Sequence, residues 1–284
     1  MSKPRGSDAP PTASAEFDPQ PESVLAACGG FVRKTAAIAE MEIRKLRHDP
    51  TELATRALQP ALWLLVFGQV ISRGHMVQTG DLPYIHFLVP GILAQSVLFI
   101  AIFNGISIIW ERDLGIVHKF LASPTPRAAL VLGKALGGGI RALVQAVVIV
   151  VLALFLDVRV RWDPWALLGV TLLILLGAAV FSTFSLIIAC LVKTRERFMG
   201  IGQVLTMPLF FASNAIYPTS MMPGWLQVVS HLNPLTYQVD GLRELLLVGA
   251  PPAPVGLGVD FAVLAAALLL LVAVSSRLYP NIVR

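Results

Sequence analysis

The residues able to do chemistry in this sequence are few, and their spacing removes most of the reactions they would support. Gly133-Lys134 is followed by Ala135, and the run Gly137–Gly139 has no Lys-Ser or Lys-Thr after it. No G-x-x-x-x-G-K-[ST] loop is therefore present to cradle nucleotide phosphates, and the chain is not expected to hydrolyse ATP. The five histidines, at 48, 75, 86, 118 and 231, are scattered, and no H-E-x-x-H or G-x-S-x-G occurs. The two cysteines, Cys28 before the first apolar run and Cys190 near the inner end of the fourth, both fall on the reducing side of the membrane by charge placement, so neither a disulfide nor a metal site is supported. Every Asp and Glu falls in a connection or at the end of an apolar run, so the intramembrane carboxylate of an ion-driven carrier is missing as well.

The elements that position these residues are set by composition. Of 284 residues, 56% are hydrophobic and 14% charged, and mean hydropathy is +0.73. A soluble domain carries about 25% charged residues, so this chain has too little ionisable surface to wet a globule. The apolar residues gather in runs of about 20, enough to cross the hydrocarbon of a bilayer. Six stretches qualify, at about 57–72, 84–109, 129–156, 165–192, 199–217 and 257–276, and the expected fold is an all-α integral membrane protein with six transmembrane helices. The first run is the weakest, short and interrupted by Gln59 and Pro60. Trp162 and Trp165, between the third and fourth runs, fit an interfacial aromatic belt.

Placing the positive charges orients the chain. Of the 22 Lys and Arg, 17 lie before the first run, in the connections after the second and fourth, or after the sixth. By the positive-inside rule both termini are cytoplasmic. The net charge of +5 thus reads as a topology signal and not as a nucleic-acid surface. Residues 1–24, rich in Pro, Ser and Ala, are expected to form a disordered cytoplasmic tail, which leaves 25–284 as the transmembrane domain.

Three segments outside the runs carry more apolar residues than free loops need. Residues 31–48 predict an amphipathic helix, with Phe31, Val32, Ile38 and Ile43 on one side and Arg33, Glu40, Arg44 and Arg47 on the other. Such a helix can lie flat on the inner surface with its basic face toward anionic lipid headgroups, alone or also as a docking surface for a cytoplasmic protein. The connection after the second run opens with Glu111, Arg112 and Asp113. It continues through Ile116, Val117, Phe120 and Leu121 and turns at Ser123-Pro124-Thr125-Pro126. Apolar residues on a short cytosolic helix make sense if another chain covers them. The segment 217–256 reads as two short helices, around Trp225 and around Leu242–Leu247, separated by Asn233-Pro234. Neither is long enough to span, so they are expected as a re-entrant or interfacial hairpin on the outer face, with Asp240, Arg243 and Glu244 pairing among themselves or facing water.

Within the runs the costly residue is Arg141, about 10 Å deeper than Lys134 at roughly 1.5 Å per residue. On a lone helix a charge at such depth costs up to about 2.5–3.5 kcal/mol. It can snorkel to the headgroups, pair with a carboxylate such as Glu111, or line a cavity open to the cytoplasm. Asn104 and Ser107 in the second run, and Gln203 and Asn214 in the fifth, prefer protein or water to lipid. They act as glue between helices or as the wall of a substrate path, beside the soft apolar surface of Met207, Phe210 and Phe211.

Two long motifs in this order, WERDLGIVHKFLASPTPRAALVLGK at 110–134 and MPLFFASNAIYPTSMMPGWLQVVSHLNPLTYQVDGLRELL at 207–246, resemble those of the ABC-2 type transporter permeases. Within that family the likeness is strongest to the daunorubicin-resistance type, and it covers roughly 30–280. The resemblance implies a half-transporter in a bacterial-type inner (plasma) membrane. It pairs with a second copy of itself or a paralogous permease and binds cytosolic ABC ATPase subunits that hold ATP and magnesium, with no cofactor in this chain. It further implies a coupling helix at about 111–121 seated in the ATPase, the 31–48 helix beside it, an outer hairpin shaping the exit, and a dimer interface along the first and fifth runs. Many members carry Ser-Gly where this chain has Ser213-Asn214, a departure that points away from a polysaccharide exporter.

The expected function is export of a hydrophobic or amphipathic small molecule, a drug or a lipid, driven by a separate ATPase. Export of a polysaccharide or glycolipid is the competing transport reading. A non-transporting membrane scaffold is the competitor from another class; it accounts for the inner segments but not for the apolar outer hairpin.

Overall fold

The computed structural model describes residues 57–74, 82–117, 126–192 and 194–279, together with Gly30, Arg33, Ala37, Glu40, Val77, Thr79 and Gly80. Helix α1 covers 57–74 and contains a π-helical stretch, Trp63–Gly68, followed by Gln69–Gly74. The others are α2 (Tyr84–Asp113), α3 (Arg127–Phe155), α4 (Pro164–Leu191), α5 (Arg195–Phe211), α6 (Gly224–Leu232), α7 (Pro234–Leu246) and α8 (Leu257–Leu278). Four of these, α2, α3, α4 and α8, are long and apolar enough to cross a bilayer. Of the two other expected spans, α1 is interrupted by its π-helical stretch and α5 is 17 residues long. Arg33, Ala37 and Glu40 are helical and exposed, a spacing that places them on one face. Arg44, Arg47, Phe120 and Leu121 lie outside the described residues.

Local chemistry explains where the helices start and stop. Pro164 follows Asp163, whose carboxylate accepts from Ala166 N at 3.0 Å, and Pro234 follows Asn233, whose side chain accepts from Leu235 N at 3.0 Å. Both are caps with proline in the first turn, where its missing N–H costs nothing. At the other end of α3, Asp157 takes φ 57°. Asp157 N and Val158 N there donate to Leu154 O and Ala153 O, each at 3.1 Å, so the last carbonyls of the helix are satisfied by a Schellman turn. Gly115, at φ 71°, closes α2 with the left-handed turn that only glycine adopts freely.

Helices α2 and α4 form the centre. Of their most apolar stretches 78% and 72% is buried, against 39% for α3 and 11% for α8. The outer position of α8, with Leu269 and Leu270 exposed, is that of a lipid-facing helix. Small residues let the central helices approach closely: a Cβ on Gly105 would meet Ser185 and Phe198, and one on Gly138 would meet Ser182.

The two halves of the predicted hairpin differ sharply. Helix α7 is buried on nearly every side and packs on α2, α4 and α8, whereas α6 buries only Ser230 and exposes Trp225, Val228 and Leu232. The end of α7 is tied to the α3–α4 connection by a β-bridge between Val160 and Leu247. Arg161 N donates to Leu246 O at 2.8 Å and Val248 N to Arg159 O at 3.0 Å there.

Candidate functional site

At one end of the bundle, the last turn of α2 is a junction for the neighbouring helices. Glu111 is turned inward and accepts a hydrogen bond from Lys134 of α3, with both residues buried. One residue away and facing outward, Trp110 lies under the Arg195 guanidinium of α5, 3.5 Å from ring centroid to carbon, and Arg195 also donates to Asp113 at 2.7 Å. Arg112 donates to the same carboxylate at 3.0 Å. The cation–π stack and the ion pair fix one guanidinium from two sides. Thr194 caps α5 there, its hydroxyl accepting from Arg197 N at 3.4 Å. Just beyond α2, Val117 is fully buried in a cluster with Ile108, Leu130, Leu186, Cys190 and Tyr279, while Ile116 is half-buried.

Deeper in the bundle Arg141 is half-buried, and its Nη1 donates to Asn104 Oδ1 at 2.5 Å. Of the partners anticipated for the two charges, Glu111 thus takes Lys134, and Arg141 takes an amide of α2. Asn104 faces the gap left by Gly138, where Ser182 of α4 also points. Ser107 returns its hydroxyl to Asn104 O at 2.7 Å.

The other anticipated path residues are not gathered with these. On α5, Gln203 and Phe211 are exposed and Met207 is half-buried, whereas Phe210 is fully buried against Trp63 of α1, with ring centroids 5.8 Å apart. Asn214 belongs to the opposite end of the molecule. Its amide donates to Asp240 of α7, and Arg243 donates to Asp240 at 3.3 Å and to Asn214 O at 2.9 Å while stacking 3.8 Å over Phe87. Glu244 instead accepts from Ala253 N at 2.7 Å. Asn233 Nδ2 donates to Leu209 O at 2.6 Å, so the residue that separates the hairpin helices also holds them to α5. Above this network lies a cavity of about 320 Å³ rimmed by Thr79, Pro218 and the prolines of 251–254. The polar side chain at 214, where the resembling family often has glycine, is used here to brace a buried carboxylate.

Lys134, Trp110, Arg195 and Ser182 were not among the anticipated site residues. Lys134 carried one signal: it is a lysine in the first turns of a near-continuous apolar run, where a charge calls for a partner.

The sequence profile of ABC-2 type transporters matches residues 33–247. This chain belongs to the ABC-2 type transporter family. The daunorubicin resistance ABC transporter permease protein DrrB1 of Streptomyces coeruleorubidus is 26% identical over 80% of this chain and 81% of its own. A chain of Cyanophora paradoxa named as a transport permease, ycf38, is 28% identical over 76% of this chain and 74% of its own. The inner membrane transport permease YadH of Escherichia coli K12 is 27% identical over 64% of this chain and 70% of its own. As an ABC-2 permease the protein is a multi-pass membrane subunit of an ABC transporter, a non-catalytic part whose family implies a partnering ABC ATPase.

Proposed function

We propose that this permease is the membrane half of an exporter that moves a hydrophobic or amphipathic small molecule, drug-like or lipid, out of the cytoplasm of a cell bounded by a bacterial-type plasma membrane. A separate cytosolic ATPase, holding ATP and its magnesium ion, supplies the work, and two permease chains form the transmembrane unit. Both termini and the Glu111 end face the cytoplasm, and the α6–α7 hairpin faces outward. The daunorubicin resistance named for the Streptomyces relative favours a drug-like cargo.

The supporting observation is the junction at the end of α2. Within four residues, Trp110, Glu111 and Asp113 are linked to α3 through Lys134 and to α5 through Arg195. Val117, just beyond, is sealed against α3, α4 and Tyr279. A push delivered to 111–121 by ATP-driven closure of the partner therefore displaces several helices together, and packed helices move between discrete arrangements instead of deforming.

The test is to replace Phe120 and Leu121 with Asp. ATPase co-purification and export in whole cells are both expected to be lost with the permease still inserted; survival of both refutes the coupling assignment. A reconstituted complex whose hydrolysis stays flat across hydrophobic ligands would favour the scaffold reading.

A further inference from the structure

Halfway through the bundle, α1, α2 and α3 leave a space that none of the contacts described so far uses. Gln95, Ser96, Phe99 and Phe103 of α2 face Gln145 of α3 and Pro60 of α1 around a cavity of about 350 Å³. Gln95 lies eleven residues into a 30-residue helix, about 16 Å from its start at roughly 1.5 Å per residue, so the cavity sits near mid-membrane.

Among the described residues, the two buried amides of this cavity are left without full partners. Gln145 is 1% exposed and neither its Oε1 nor its Nε2 has a hydrogen bond, and Gln95, 2% exposed, leaves its Oε1 without a donor. Buried amides without partners are costly, and native structures keep few of them without a reason. Ser96 spends its proton on Ile92 O at 2.8 Å, which leaves the hydroxyl oxygen as an acceptor. One and two turns along α2 from Gln95, and on the same face, the rings of Phe99 and Phe103 stand 6.2 Å apart at 31° and form an apolar wall. Among the described residues, none that lines the cavity carries a charge. An ion entering here would lose its hydration with no counter-charge among these lining residues to replace it, whereas a neutral molecule offering both a donor and an acceptor can hydrogen-bond to both amides. A cavity of this volume lies within the range of small-molecule sites.

We propose that this cavity binds one uncharged, largely apolar molecule bearing a hydroxyl or amide beside a carbonyl, held by Gln95 and Gln145 and packed on Phe99 and Phe103. The assignment deepens the export reading, on which it rests only for the direction of travel, by naming the class of cargo. The same chemistry arrives from two sources, a neutral glycerolipid of the bilayer or a compound dissolved in water.

The test uses the full chain in phosphatidylcholine nanodiscs without any ATPase, so its failure leaves export itself standing. The probe is para-hydroxymethyl benzophenone, uncharged, with one hydroxyl and one photoreactive carbonyl, and labelled peptides are mapped by mass spectrometry. Saturable labelling of the peptide containing Phe99 and Phe103 is expected, with trimethylammonium and carboxylate analogues labelling it about tenfold less. Replacing Gln95→Leu with Gln145→Leu should cut labelling about tenfold while the melting temperature holds or rises by about 2–4 °C, because unpartnered amides give way to apolar groups of similar size. Labelling that does not saturate, equal labelling by the charged analogues, or a lower melting temperature in the double variant overturns the proposal; the last would mean that the amides are structural. Dioleoylglycerol added to the bilayer separates the sources: competition assigns the occupant to the membrane, and undiminished labelling assigns it to a compound taken from water.

Discussion

Lys134 and Glu111 form an ion pair between α3 and the foot of α2, with side chains only 4% and 6% exposed. Taking two charges out of water is expensive, so a pair this buried adds little over an apolar contact of the same shape, yet breaking it strands a charge. Glu111→Gln or Lys134→Met alone should each lower unfolding free energy by about 3–5 kcal/mol. The double variant Glu111→Leu with Lys134→Met should recover most of that loss. Denaturant unfolding in mixed micelles, read as a double-mutant cycle, checks this, and equal losses in single and double variants would contradict it.

Arg195 makes a different kind of link. Its side chain is 32% exposed and that of Asp113 is 37% exposed, so solvent screens the pair and its stability worth is no more than about 1 kcal/mol, with a similar contribution from the stack on Trp110. Arg195→Lys keeps the charge but loses the planar group that stacks and forks. The variant is expected to melt within about 2–4 °C of the parent. Ligand-stimulated ATPase activity of the reconstituted complex should fall severalfold, whereas unchanged stimulation would make the junction a passive staple.

Asp240, on the buried α7, has its carboxyl held above its ordinary 3.8 by burial, against the opposing pull of Arg243, Asn214 and His231. An acid whose folded pKa is raised binds more protons in the folded than in the unfolded state. Its contribution to stability is therefore complete below pH 3.8 and is lost as pH rises through the folded value. Thermal unfolding followed from acid to neutral pH should show this decline. Asp240→Asn should remove it, and Arg243→Gln should shift it to higher pH, since one of the groups favouring the ionised form is gone. A slope unchanged in Asp240→Asn would show that another group titrates.

Two glycines test how tightly the helices are seated. A Cβ on Gly91 of α2 would lie 2.2 Å from the Ala215 carbonyl oxygen, and one on Gly177 of α4 would lie 2.3 Å from the amide end of Gln238. Backbone cannot swing aside as a side chain can, so Gly91→Ala should cost at or above the top of the overpacking range of about 1–3 kcal/mol and Gly177→Ala near its bottom. Similar losses at both sites, measured by melting in nanodiscs, would mean that the 212–217 turn is free to move.

Much of the architecture was written in local pattern. The runs at 84–109, 129–156, 165–192 and 257–276 became helices ending within a few residues of their expected limits, because length and hydropathy decide a spanning helix and caps such as Asp163-Pro164 sit beside the positions they end. Asn233-Pro234 marked the break in the hairpin for the same reason. The candidate site was less legible. Arg141 takes Asn104 and Glu111 takes Lys134, while Gln203, Met207 and Asn214 lie on other faces or at the other end, since polarity in an apolar run says that a partner is needed and not which one.

By itself the sequence determined that this is a membrane protein, how long its central helices are and which segments are too apolar to be loops. It also placed the chain in its family through two long motifs. Only the tertiary structure decided that Glu111 takes Lys134, that Arg195 is shared by Trp110 and Asp113, that α7 is buried while α6 is bare, and that Gln95 and Gln145 converge on one cavity. The physical reason is that helix formation in lipid depends on residues a turn apart, whereas each polar group's partner depends on which faces of distant helices are brought together. That choice is made by small residues such as Gly105 and Gly138, whose importance shows only once two helices touch.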